Sequence, residues 1–191
     1  TRRSSDLVVL GADHVTAHDA TNGKELWRVG GLNPTGHKYF RSIASAVVHN
    51  GVVVAPYARS ETVTAIKLGG SGDVTESHVL WTKKGNGSDV PTPTAMDGKV
   101  YVLNDRGTIS CLEIATGKEI WSGVPEKHRS GFSSSPVLAD GKLFAHFGAL
   151  GSACLDTKSG KLLWTNTELV VMHENGPGST PVVWRDRLIF H

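Results

Sequence analysis

Residues 173–178, His-Glu-Asn-Gly-Pro-Gly, form the densest polar constellation in the chain. Glu174 and Asn175 can offer oxygens to Ca²⁺, and His173 can act as a general base. A hard cation needs several further oxygen ligands, and the sequence groups none beside this segment, so no metal is expected. His14 and His18 are four residues apart. That spacing would pair them on a helix, but on a strand they stand ~13 Å apart, too far to share a zinc ion. His49, His78, His146 and His191 are isolated and read as surface or packing residues. GGSGDV (69–74) lacks the lysine and the following helix of a phosphate loop. The serines of SGFSSSP (130–136) have no paired His and Asp in a recognisable motif, which argues against a serine hydrolase. None of these groups identifies a reaction.

The elements that would position such residues are much clearer. Glycine is abundant, with 22 residues, and clusters in TNG, HNG, MDG, ATG, ADG and KSG. Gly, Asn and Asp tolerate the positive φ that tight hairpins require. Between these turns the apolar residues alternate or run in short β-branched stretches such as LVVL, KVYVL and VTAI. No window of ten residues holds a helical period, so the chain is expected to be all-β.

One phrase recurs: DATNGKELW (19–27), EIATGKEIW (113–121) and DTKSGKLLW (156–164), with a degenerate copy ending in SHVLW at Trp81. Residues 98–121 align without a gap onto 141–164. Placing Gly51, Gly98 and Gly141 in register gives four strands per unit, the last ending in tryptophan. The tryptophans stand 54, 40 and 43 residues apart. Four antiparallel strands at that repeat length match the blade of a β-propeller. Three complete and two partial blades follow, at about 1–27 (partial), 42–81, 91–121, 133–164 and 179–191 (partial), in one domain over 1–191. The stretch GGSGDVTESH (69–78) is expected to enlarge the outer hairpin of the second blade. Trp27, Trp81, Trp121 and Trp164 are each expected to wedge between neighbouring blades, with the indole N–H on a backbone carbonyl. Trp184 lies out of this phase.

In such a fold, the segment joining one blade to the next opens on the face around the central channel. Aligning Ala46, Pro93, Pro136 and Pro181 collects His37, Lys38, Tyr39, Arg41, Asp89, His128, Arg129, His173, Glu174 and Asn175 on one rim. These ten residues are the candidate site for a polar or anionic ligand; the bland alternative is a set of solvated loops capped by their own Ser and Thr hydroxyls. Cys111 and Cys154, the only cysteines, share one strand-three position on successive blades. Sheets stack ~10 Å apart, beyond the ~7 Å reach of a disulfide, so both are expected to be reduced core residues.

The AxTGKxxW phrase, joined to xPxxxDGKxY, resembles the tryptophan-docking repeat of the pyrroloquinoline-quinone (PQQ)-like propellers. That group includes quinoprotein dehydrogenases and the BamB-type outer-membrane assembly lipoproteins. SIASAVVHNGVVVAPYA, LGGSGDVTESHVLW and HENGPGSTPVVW are most similar to the PQQ-like repeat proteins of planctomycete-type bacteria. The resemblance covers nearly the whole chain. It implies rings of seven or eight blades, needing about twice this length, and a periplasmic or extracytoplasmic location. By repeat phase the chain starts after strand one of its first unit and stops inside strand two of a fifth. The AHFG…NTEL…HENGPG stretch follows GGSGDV here, where the family usually has it first. A partial or half propeller is therefore favoured over a closed four-bladed ring. Quinoprotein dehydrogenases resemble one another in carrying adjacent cysteines near the quinone and Glu, Asn and Asp around Ca²⁺. No adjacent pair exists here, and none of that site carries over, so neither PQQ nor Ca²⁺ is expected.

A net charge of +2 with interspersed signs gives no case for a nucleic-acid partner. No apolar run reaches the ~18 residues of a membrane span. Three readings remain. The first is a non-catalytic propeller binding a protein or small polar ligand at its rim, with a protein or another copy of itself as partner. The second is a partial or degenerate PQQ-dependent dehydrogenase. The third is an accessory sensor propeller joined to a kinase or another domain.

Overall fold

A computed structural model describes residues 6–39, 43–57, 61–125, 134–169 and 179–190. Its strands fall into four four-stranded sheets and one hairpin. The first sheet holds β1 (Asp6–Leu10), β2 (Val15–Asp19) and β3 (Glu25–Val29). The second holds β4 (Val47–His49), β5 (Val52–Tyr57) and β6 (Thr62–Lys67). After these come β7 (Gly72–Asp73), the single turn α1 (Thr75–His78) and β8 (Val79–Lys84). The third sheet is β9 (Thr94–Met96), β10 (Lys99–Leu103), β11 (Ile109–Glu113) and β12 (Glu119–Gly123). The fourth is β13 (Val137–Ala139), β14 (Lys142–His146), β15 (Ser152–Asp156) and β16 (Leu162–Asn166), and the hairpin is β17 (Val182–Trp184) with β18 (Arg187–Ile189). Pairing is antiparallel between successive strands, as in propeller blades. The innermost strands β4, β9, β13 and β17 adjoin one another in that order.

The hairpins between first and second strands turn on two residues with positive φ: Asn50–Gly51, Asp97–Gly98 and Asp140–Gly141. Both central positions of such a turn need the left-handed region, which matches the twist of the flanking strands.

The core lies between the sheets, and the period-two alternation of each strand divides it. Val53 and Ala55 pack with Val15, Ala17 and Val29 of the first sheet. Val54 points the other way, toward Val100, Val102 and Leu112 of the third. Tyr101, Leu103 and Cys111 then meet Leu143, Ala145 and Leu155 of the fourth. Middle strands buried on both faces read as near-continuous apolar runs for this reason.

Two features depart from the sequence expectation. The stretch 69–78 lies within the β6–β8 hairpin of the second sheet and enlarges it, as expected, but it does not stay on that sheet. It crosses back to the first, where β7 pairs in parallel with β3, Trp27 opposite Gly72 and Arg28 opposite Asp73. Val74 N–H then donates to Arg28 O at 2.9 Å, and Gly30 N–H to Thr75 Oγ1 at 2.8 Å. These bonds occupy an edge of β3 that would otherwise stay open. The second feature is a register shift in every four-stranded sheet, at Ala17/His18, Ala65/Ile66, Cys111/Leu112 and Cys154/Leu155. The fourth strand carries one extra residue there, immediately before its tryptophan. A bulge re-aims the next side chain, so Leu80, Ile120 and Leu163 are exposed while the following indole swings along the sheet edge.

Candidate ligand-binding rim and blade junctions

The loop joining β3 to β4 is braced from within and by the β1–β2 turn. Asn33 N–H donates to Asp13 Oδ1 at 2.6 Å, His37 N–H donates to Asn33 Oδ1 at 3.0 Å, and Asn33 Nδ2 returns a bond to His37 O at 3.2 Å. His37 and Tyr39 meet edge to face, with ring centroids 5.8 Å apart, and Tyr39 is 73% exposed. His37, Lys38 and Tyr39 therefore form one exposed, ordered patch. An amphipathic aromatic beside an imidazole suits a polar partner.

Asp89 is placed differently. It is buried, and its backbone N–H lies 3.0 Å from both carboxylate oxygens of Asp105, in the turn between β10 and β11. Its carbonyl accepts from Ala44 N–H at 2.9 Å. Asp89 thus ties the segment leading into the third sheet onto the one leading into the second. Arg41, His128, Arg129, His173, Glu174 and Asn175 lie outside the described residues. Among the described residues, no group of three or more His, Cys, Asp or Glu is placed to hold a metal ion. Cys111 and Cys154 are buried and not joined to each other. Burial pushes the Cys111 thiol up to about 11, and the neighbouring Tyr101 phenol up to about 12.

Sequence reasoning offered Ser and Thr hydroxyls only as caps on their own loops and missed that they link successive units at this rim. Ser45 N–H donates to Thr92 Oγ1 at 2.9 Å, Thr92 N–H to Ser135 Oγ at 3.0 Å, and Ser135 N–H to Thr180 Oγ1 at 3.4 Å. Each amide entering one inner strand is thereby satisfied by a hydroxyl of the next unit. The four residues directly precede Ala46, Pro93, Pro136 and Pro181, so the alignment column itself was the available signal.

At the outer edge the tryptophans differ. Trp81 Nε1–H donates to Ile114 O of the third sheet at 2.8 Å, and Trp121 Nε1–H donates to Thr157 O of the fourth at 3.0 Å. Their rings cover Gly117 and Gly160; a Cβ there would come within 2.7 Å and 2.6 Å of ring carbons. Those turns thus require glycine twice, for positive φ and for the approach of the indole. Trp27 is only 1% exposed, yet its Nε1 has no hydrogen-bond partner among the described residues; the neighbouring element here is β7, paired with β3. Trp164 is 41% exposed and meets Phe144 of its own sheet at 6.0 Å.

Comparison with known proteins places this geometry. A search of curated protein sequences finds no match. Among solved structures, the chain is similar to BamB from Moraxella catarrhalis, with 19% identity and a TM-score of 0.68, over 98% of this chain and 55% of that one. It is similar to the computationally designed Ika8 protein, with 17% identity and a TM-score of 0.73, over 100% of this chain and 53% of that one. A weaker likeness is to the quinohemoprotein alcohol dehydrogenase of Comamonas testosteroni, with 24% identity and a TM-score of 0.51, over 65% of this chain and 21% of that one. The chain thus spans about half the length of the first two structures. Residues 73–191, well over half of the chain, match the family model PQQ_2, described as outer membrane protein assembly factor BamB, and the chain belongs to that family.

Proposed function

We propose that the chain is a non-catalytic propeller module that binds protein at the loops entering its inner strands, in an extracytoplasmic compartment. The carrying observation is the patch of His37, Lys38 and Tyr39: exposed side chains on a loop held by the Asp13–Asn33–His37 bonds. Preorganised exposed aromatics bind with little loss of conformational entropy. Arg41, His128, Arg129, His173, Glu174 and Asn175 belong to the same rim by repeat phase and would supply hydrogen-bonding groups for a polar partner, with Arg41 and Arg129 adding positive charge. The family description, an outer membrane protein assembly factor, supports both a protein partner and the compartment. In this reading the tryptophans are docking residues and carry no ligand; Trp81 and Trp121 support it by bonding the next sheet.

The test is a photo-crosslinking amino acid at position 39, compared with one at Lys158 in an exposed outer turn, in cells making the chain. A discrete product from position 39 alone is expected. No product, or the same product from both sites, would overturn the rim reading.

A further inference from the structure

The chain covers one of its own blade edges with a short segment. Residues 72–75 lie along the outer side of β3, with Gly72 opposite Trp27 and Asp73 opposite Arg28. Val74 N–H donates to Arg28 O at 2.9 Å, and Gly30 N–H donates to Thr75 Oγ1 at 2.8 Å. The segment runs parallel to β3 and satisfies amide and carbonyl groups that an edge leaves open. Val74 is buried in the apolar cluster of Trp27, against which Leu26 packs. Asp73 places a carboxylate across from Arg28, whose guanidinium also holds Glu25.

The same backbone groups face outward in the second sheet. Trp27 pairs with Ala17 and Trp81 with Ala65, so Thr82 holds on β8 the position of Arg28 on β3, and Lys84 that of Gly30. Alternate residues of a strand turn their N–H and C=O to alternate sides. Thr82 and Lys84 therefore present outward what Arg28 and Gly30 give to the 72–75 segment. Among the described strands, β8 is paired on one side only. This edge is not an end of the array, since the first and third sheets flank the second. The connection of the third sheet is a tight turn, closed by Gly117 N–H on Glu113 O at 2.8 Å. It covers the Trp81 indole and does not pair with β8. Leu80 is accordingly exposed, where Leu26 on β3 is half-buried. Lys83 and Lys84 follow Thr82; Lys83 is engaged with Glu119 at 3.2 Å, while Lys84 is exposed.

We propose that the outer edge of β8, from Leu80 to Lys84, binds an extended segment of a partner protein as an added parallel strand. The segment it takes has the pattern that 72–75 shows: a small residue, an acidic one, a β-branched one and a hydroxyl. Its third amide donates to Thr82 O, and its hydroxyl accepts from Lys84 N–H. The β-branched side chain packs beside Trp81 and Leu80, and the carboxylate meets the Lys84 ammonium. Main-chain bonds supply affinity in this mode, and alternate side chains supply specificity. The occupant comes from another protein because the chain's own copy of the pattern is already committed to β3. This edge lies apart from the rim loops, and its use is independent of partner binding there.

The experiment titrates the isotope-labelled full chain with the end-capped peptide SGDVTES, a copy of residues 71–77, and follows backbone amide shifts by NMR. Saturable shifts at Thr82 and Lys84 are expected, with the amides of the rim loop 33–39 unchanged. Replacing the peptide's aspartate with lysine should weaken binding about 5-fold, and so should Lys84→Glu in the chain. Combining the two reversals restores opposite charges and should recover most of the affinity. An unaltered amide pattern elsewhere in Lys84→Glu separates a lost site from a lost fold. Three results would overturn the proposal: no saturable shift at Thr82 and Lys84 with millimolar peptide, shifts confined to Arg28 and Gly30, where the peptide exchanges with β7, or charge reversals without effect.

Discussion

Replacing Gly117 with alanine separates the wedge from the turn that receives it. Gly117 and Gly98 share nearly the same backbone, with φ of 71° and 73°. An alanine in that region costs about 1–2 kcal/mol, partly offset by about 0.4–1 kcal/mol from a stiffer unfolded chain. At Gly98 nothing lies within 4 Å of the new Cβ, so Gly98→Ala is expected to cost about 1 kcal/mol in all. At Gly117 the Cβ would stand 2.7 Å from Cδ2 of Trp81. The indole cannot slide away freely, because Nε1 is held at 2.8 Å on Ile114 O and that bond is worth about 1 kcal/mol. Overpacking adds about 1–3 kcal/mol, giving a melting temperature roughly 2–12 °C below that of Gly98→Ala for a chain of this size. Urea and thermal unfolding, followed by circular dichroism, read the difference. In a Trp81→Leu background the excess should vanish, since the two sites share one contact. Equal destabilisation by the two alanines in the wild-type background would refute the wedge.

Trp121→Phe keeps the ring against Tyr101 but removes the bond to Thr157 O; that carbonyl still accepts from Tyr101 Oη–H at 3.2 Å, so the loss should be only about 0.5–1 kcal/mol by urea midpoint. Thr92→Val deprives Ser45 N–H of its acceptor at nearly constant shape and should cost about 0.5–1 kcal/mol, seen as faster amide exchange at Ser45. The Cys111 thiol is raised from the ordinary 9.0 to about 11. Below pH ~9 both states are protonated; as pH rises from there toward ~11, only the unfolded thiol ionises, so stability falls across that window. Cys111→Ala should flatten that part of the profile.

The repeat was legible because hairpin glycines and the tryptophan phrase recur at fixed offsets, and both answer to local backbone geometry. The bulge before each tryptophan was not. Leu26, Leu80, Ile120 and Leu163 look like ordinary strand residues, and only pairing across the sheet shows one of two to be extra. The path of 69–78 was hidden for a similar reason: a two-residue parallel bridge to β3 has no sequence period. Asp89 entered the rim set through the alignment of the blade-linking loops, which carries no information on burial. The residue is buried, with its backbone N–H on the carboxylate of Asp105, 16 residues away, which no local pattern couples to it. His37, Lys38 and Tyr39 came together because they are neighbours in sequence, whereas the other six rim candidates lie outside the described residues.

The central claim, a binding module on a fold shared with quinone enzymes, is tested most directly by calorimetric and absorbance titration of the chain with PQQ in the presence of Ca²⁺. No adjacent cysteines are present, and the described residues group no metal ligands. The account predicts no saturable heat and no shift of the quinone spectrum. Stoichiometric binding with a shifted quinone absorbance would contradict it.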